Sequence, residues 1–390
     1  MPRMQRTPVA VIGAGTMGAG IAQVAARAGH EVWLVDADDQ AVAAAVESIA
    51  RRFVRLVEKG SMPRAEQRQA SARVHPGGRD PGRLPPVSLA IEAVAESLEV
   101  KHAVLGALGR SQPPETILAS NTSSLDITRM AQPVPHPERV VGLHFFNPVP
   151  LMPLVEVVTG ALSDPGVIDA AAALMADWGK TAVRCASTPG FIVNRVARPF
   201  YGEGQRMVQA GLVDPATLDA ALRGAGFAMG PMELTDLIGQ DVNLAVGASV
   251  WEQTGRDPRY EPTAYQRELV ATGRLGRKTG RGVFRYDSAG QAVDADPDPE
   301  LVGSIVGGPT VRDPVARTLA MLVNEAADVA HRGVANPDDI DTAMVLGAAY
   351  PRGPFAWRER LGAERVHRIL AELDHACPTG RYRASPGLHV

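Results

Sequence analysis

Residues 8–36 read PVAVIGAGTMGAGIAQVAARAGHEVWLVD. Pro8–Ile12 is a short apolar run, the pattern of a parallel strand buried on both faces. Gly13-Ala14-Gly15-Thr16-Met17-Gly18 follows at once. Ala19–Ala28 is then rich in alanine, with apolar residues at helical spacing, and Gly29 closes it. Glu31–Val35 reads as a second strand, ended by Asp36. Strand, GxGxxG, helix, strand and acid, in that order, make a dinucleotide-binding unit. The glycines allow the tight turn and let backbone N–H groups approach a pyrophosphate, whose charge the helix N-terminus favours. Asp36 is placed to accept from ribose hydroxyls. Its charge opposes a 2′-phosphate, so the pattern predicts NAD over NADP.

Working outward, Ala41–Lys59 is an amphipathic pattern stopped by Gly60, a helix that carries Arg51, Arg52, Arg55 and Lys59. Such a row is either a solvated basic face or a dock for an anionic ligand. Ser71–Pro86, rich in Pro, Gly and Arg, is expected to be a connection with little regular structure. Val87–Ile91 is a third strand, and Glu96 and Lys101 lie beyond its C-terminal end. Open parallel sheets bind ligands at those ends, so the two read as cofactor contacts or as ordinary surface charges. Leu98–Leu108 is helical, and the strand Thr116–Ala119 leads into a polar cluster of Ser120, Asn121, Ser123 and Ser124.

Arg139–Phe145 (RVVGLHF) is a further strand carrying His144, followed by Asn147-Pro148. In the next strand, Leu154–Val158, Glu156 interrupts an otherwise apolar run. A carboxylate there is costly without a partner. His144 is the candidate, because a glutamate can hold an imidazole in one tautomer and stabilise its protonated form. A lone histidine in an apolar strand is ordinarily a satisfied core residue. The serine cluster, Asn121 and the misplaced Glu156 together favour a site.

Asp164–Trp178 is a helix and Thr181–Cys185 a last strand; Thr188-Pro189-Gly190 then marks a change of character. From Phe191 to about Val270 the pattern is helical with short breaks, and Gly273–Tyr286 is a glycine-rich irregular or hairpin segment. Ser288–Asp313 reads as a linker. Beyond it, Gly333-Val334, Pro337, Ile340–Met344 and Gly353-Pro354 echo Gly211-Leu212, Pro215, Leu218–Leu222 and Gly230-Pro231 at an offset of about 122 residues, and Glu325 echoes Glu203. The C-terminal part is therefore a second copy of the small helical domain, and the two copies are expected to pack as subunits of a dimer do.

The chain of 390 residues is long enough for several domains, and 45% apolar with 21% charged residues is ordinary for a globular protein. A net charge of −3 without like-charge blocks offers nothing to nucleic acid or an anionic membrane. Cys185 and Cys377 are too few for a disulfide framework and fit a reducing cytosol, so a cytoplasmic location is expected. The N-terminus shows no signal-peptide pattern, no run spans a membrane, and no metal site is expected.

Together GAGTMGAG, EAVAESLEVK, ASNTSSL, GLHFFNPVPLMPLVEVV, TPGFIVNR, GPMELTDLIGQD and GRKTGRGVF resemble the 3-hydroxyacyl-CoA dehydrogenase family, in a form with a duplicated C-terminal domain. The resemblance runs from about Pro8 to Tyr286 and again from about Arg317 onward. It implies an α/β Rossmann-like NAD-binding domain over 1–187, a helical domain over 188–286, a linker over 287–312 and a degenerate second helical copy over 313–390. It implies that His144 is the catalytic acid/base with Glu156 as its partner, and that Ser123 and Asn194 bind the substrate's 3-oxygen and thioester region. Gly13, Gly15, Thr16, Met17, Gly18 and Asp36 would hold NAD, with Glu96, Lys101, Asn147 and Lys278 adding contacts. Lys59 falls where the family contacts CoA, with Arg51 or Arg52 near the place of a neighbouring serine contact. Ala316 stands opposite Asn194, so the second copy is expected to be structural. The implied activity is reversible NAD-dependent oxidation of (S)-3-hydroxyacyl-CoA in fatty-acid or aromatic-acid degradation. The assembly would be a homodimer or a pseudo-dimeric monomer. A non-catalytic, crystallin-like relative and a dehydrogenase of a small hydroxy acid without CoA are the competing readings.

Overall fold

The strand opened by Val9 lies at the turning point of a sheet. In the computed structural model, which describes residues 7–305 and 313–389, the chain divides after Thr188 into two compact units. Residues 306–312, part of the expected linker, lie outside the described residues, as do residues 1–6, on which the reading of the N-terminus partly rests.

The first unit is built on β1 (Val9–Ile12), β2 (Val32–Val35), β3 (Val74–Pro76), β4 (Leu89–Glu92), β5 (Ile117–Ser120), β6 (Val140–Phe145), β7 (Leu154–Thr159) and β8 (Thr181–Ala186). They form one eight-stranded sheet in the order β3-β2-β1-β4-β5-β6-β7-β8. From β3 to β6 every pairing is parallel. The chain leaves β1 towards β2 and returns to β4 on its other side, so the strand order reverses at β1 and opens a crevice there. Both β1 and β4 are buried throughout, as strands covered on two faces must be. The connection 146–153 is too short for the crossover of about a dozen residues that a parallel return needs, and β7 runs antiparallel to β6.

The expectation of little regular structure over Ser71–Pro86 is corrected by β3, which pairs Val74 with Val32 and Pro76 with Leu34 at the sheet edge. Three residues give no periodicity to read, and a proline lacks the N–H of a ladder, which confines it to an edge or a strand end. The basic helix spans Asp39–Glu58 and buries Val42, Ala45, Ile49 and Phe53, one apolar stripe at three- and four-residue spacing.

The second unit is helical apart from isolated bridges around Gly276–Ala292. Its two halves meet through the helices Arg198–Gln209 and Pro314–His331. Across them the repeat forms crossed ion pairs. Arg195 Nε lies 2.7 Å from Glu325, and Arg317 Nη2 lies 2.8 Å from Glu203. Tyr260 donates to Glu325 at 2.6 Å, and Tyr382 to Glu203 at 3.2 Å. Arg195, Glu203, Tyr260 and their counterparts Arg317, Glu325, Tyr382 are related by the offset of the repeat, so each half supplies one copy of the same contact. All six are buried. Removing one member of such a buried pair leaves an uncompensated charge worth about 3–5 kcal/mol.

Candidate active site

At the switch point the glycines fit so closely that side chains are excluded. Gly13 has φ +110°, and a Cβ there would stand 2.5 Å from the Ala93 carbonyl oxygen. A Cβ on Gly18 would lie 1.7 Å from the Gly13 carbonyl oxygen, so this contact sets how near the helix Thr16–Ala28 sits to β1. Gly15 has nothing within 4 Å and is the N-cap of that helix. No side chain caps it, whereas Asp38 caps the next helix. The first N–H groups are thus left for a ligand, and an anion is what they favour. Asp36 accepts from Ala14 N at 2.7 Å and Asp38 N at 3.1 Å, which fixes its carboxylate at the end of β2. Thr16 is exposed beside Gly15, and Met17 packs partly into the core. An open Gly15, an uncapped helix start and a fixed acid suit a pyrophosphate and a ribose, and so suit NAD.

Lys101 does not stand as a surface charge. It is 1% exposed, with Nζ 2.9 Å from both oxygens of Glu92 and 3.2 Å from Glu96. Glu92, fully buried at the end of β4, also accepts from Ser120 Oγ and from Val94 N. In the sequence it merely closes an apolar run, and a carboxylate at the end of that run is the one signal of its role. Glu96 in turn accepts from Thr122 Oγ1 at 2.6 Å, Ser123 N at 3.0 Å and Ser124 Oγ at 3.1 Å. Burial works against its charge, but Lys101 and the donors of Thr122 and Ser123 outweigh it and hold the carboxyl below its ordinary value. The result is one network, Glu92–Lys101–Glu96–Ser123, which ties the end of β4 to the polar turn after β5.

His144 and Glu156 face each other across the antiparallel β6–β7 ladder. His144 Nδ1 is 2.5 Å from Glu156 Oε2, with the histidine 6% and the glutamate 0% exposed. Phe146 covers the imidazole at 4.5 Å between ring centres. Asn121 Oδ1 accepts from Phe145 N at 2.9 Å, so the serine turn and the histidine strand are joined directly.

A cavity of about 800 Å³ opens beside the crevice, walled in part by Thr16, Asn147, Arg52, Arg55, Lys59 and Lys180. Asn147 precedes Pro148 through a cis peptide bond. Arg52 faces the cavity, while Arg51 is paired on the surface with Glu47 at 2.6 Å. Lys180 donates to the carbonyls of Val149 and Met152 at 2.6 and 2.7 Å, and burial lowers its pKa. In the second unit, Asn194 lies on the single turn Val193–Val196, and Lys278 is bound to Asp241 at 2.6 and 2.7 Å. Among the described residues no cluster of His, Cys, Asp or Glu forms a metal site, and no helix is long and apolar enough to cross a membrane.

Sheet, glycine turn and acid define an NAD-binding domain. Residues 8–188 match the 3-hydroxyacyl-CoA dehydrogenase NAD binding domain, and residues 190–286 and 314–389 match that family's C-terminal domain. The 3-hydroxyadipyl-CoA dehydrogenase of Escherichia coli (strain K12) is 40% identical, over 96% of this chain and 95% of that protein. A probable 3-hydroxybutyryl-CoA dehydrogenase of Bacillus subtilis is 38% identical over 73% of this chain and 99% of its own. A crystal structure of 3-hydroxybutyryl-CoA dehydrogenase from Escherichia coli K12 aligns with a TM-score of 0.90 and 38% identity, covering 99% of this chain and 98% of that one. The chain belongs to the 3-hydroxyacyl-CoA dehydrogenase family.

Proposed function

We propose that this chain oxidises (S)-3-hydroxyacyl-CoA to 3-oxoacyl-CoA reversibly, with His144 as acid/base and Glu156 as its partner. The observation that supports this best is the buried His144–Glu156 contact of 2.5 Å. Nδ1 is engaged by the carboxylate, so proton exchange with the 3-hydroxyl falls to Nε2. The bound cofactor's part is to accept the hydride that leaves C3. Neutral His144 takes the hydroxyl proton, and Glu156 stabilises the imidazolium so formed; in reduction the imidazolium returns that proton to the developing alkoxide. Ser123, held by Glu96, and Asn194 hydrogen-bond the reacting oxygens and fix the geometry. Gly13, Gly15, Thr16, Met17, Gly18 and Asp36 bind NAD, and Asn147 and Lys278 add contacts. Lys101 contributes through Glu96, which it holds ionised. Lys59 and Arg52 dock CoA at the rim of the cavity they share.

In this reading residues 1–187 bind NAD, 188–286 bring Asn194 to the substrate, 287–312 link, and 313–390 form a supporting copy without a site of its own. The enzyme works on CoA esters of fatty-acid or aromatic-acid degradation in the cytoplasm, where two cysteines outside any disulfide, Cys185 and Cys377, suit the redox conditions. NADH consumption with acetoacetyl-CoA tests the activity. A panel of butyryl, hexanoyl and adipyl 3-hydroxy esters then tests the tail. No turnover with any acyl-CoA would return the protein to a non-catalytic or small-acid role.

Glu156→Gln is expected to cost about tenfold to a thousandfold in kcat, because an amide N–H can donate to Nδ1 and place the imidazole proton on Nε2, the wrong tautomer for a base. Unchanged kcat in this variant would remove Glu156 from the mechanism.

A further inference from the structure

We infer that the second helical copy positions Asn194 for the reaction, through Arg195, with Glu325 as the positioning residue. This rests on the assignment of Asn194 to the substrate. Asn194 sits on a helix of one turn, Val193–Val196, and an isolated turn is a costly nucleus that leans on its surroundings. The turn is entered through Gly190 at φ +78° and Phe191 at φ +48°. A phenylalanine in the left-handed region persists only where its surroundings fix it. The group that ties this turn to the second copy is the side chain after Asn194, while Arg198 Nε holds the Asn194 carbonyl at 2.7 Å from within the first. Arg195 N closes the turn onto the Gly190 carbonyl at 3.1 Å, and its guanidinium reaches Glu325 at 2.7 Å and Asp328 at 2.6 Å. Both carboxylates belong to the helix Pro314–His331 of the second copy.

The repeat contains its own control. Arg317 makes the equivalent contact with Glu203, but its chain neighbour is Ala316, not asparagine. The clamp is also unequal: Arg206 stands where the offset would repeat Asp328, so the second carboxylate is present only on the side that carries Asn194. An interface that served cohesion alone would need no such difference. The extra carboxylate fixes the rotation of Arg195 about its long axis, and with it the turn that presents Asn194.

The test compares Glu325→Gln with Glu203→Gln in the full chain. Each removes one buried carboxylate from two arginines, Arg195 and Arg259 or Arg317 and Arg381, and both are expected to lower the melting temperature to a similar extent. Glu325→Gln is expected to lose about tenfold to a hundredfold in kcat for 3-hydroxybutyryl-CoA, with NAD affinity unchanged, while Glu203→Gln keeps its kcat. If a glutamine variant does not fold, Tyr260→Phe against Tyr382→Phe makes the same comparison by removing one hydroxyl, and its two hydrogen bonds to the arginine and the glutamate, from each side. Equal kcat within either pair overturns the inference while leaving the proposed function standing. A wild-type chain without activity on any acyl-CoA overturns both.

Discussion

A His144→Gln chain is expected to lose about a thousandfold in kcat and still bind NAD as the wild type does. Glutamine fills similar space and its amide can donate to Glu156, so the buried carboxylate is not abandoned. An amide does not take up a proton at neutral pH, however, and the hydroxyl proton then has no base to go to. His144 lies against Glu156 and Phe146, whereas the glycine turn and Asp36 sit at the ends of β1 and β2. NADH titration followed by fluorescence checks the second half of the expectation, and steady-state oxidation of 3-hydroxybutyryl-CoA checks the first. Turnover close to wild type would take His144 out of the chemistry; loss of NADH binding would mean that the strand itself had been disturbed.

Gly18→Ala is expected to weaken NADH by at least about a hundredfold and to destabilise the fold, because overpacking a close contact costs about 1–3 kcal/mol or more. Its Cβ would stand 1.7 Å from the Gly13 carbonyl oxygen, and neither partner is a flexible side chain that can move aside. The helix must lift off β1, carrying its free N–H groups away from the pyrophosphate. Gly15→Ala separates the two effects. Its Cβ meets no protein atom within 4 Å, so the melting temperature should hold while affinity for the dinucleotide falls. If Gly18→Ala binds NADH as tightly as the wild type, the helix start is not the pyrophosphate site.

The NAD-binding half was legible because its signals are local. Strand, glycine turn, helix and acid occupy 8–36 without interruption, and each residue's part follows from its neighbours in sequence. The His144–Glu156 contact was legible for another reason: a carboxylate in an apolar strand requires a partner, and few candidates existed. What escaped depends on pairing across distance. Lys101 reads as a cofactor contact or a surface charge, and nothing local shows that Glu92 lies beneath it. Val74–Pro76 is too short to show a period. The repeat made Arg195 and Arg317 equivalent, yet equivalence does not say that each arginine takes its glutamate from the opposite half.

The crossed pairs have a consequence for dilution and for descent. Between separate subunits such an interface weakens as protein concentration falls, by mass action. Within one chain the halves meet at an effective concentration fixed by their connection, so dilution does not part them. Fusion also lifts a restriction on change. In a symmetric dimer every substitution appears on both sides, and losing an asparagine that binds substrate, the role proposed for Asn194, would silence both sites at once. Here one half keeps Asn194 while its counterpart carries Ala316, so a substitution in the second half need not reach the proposed site.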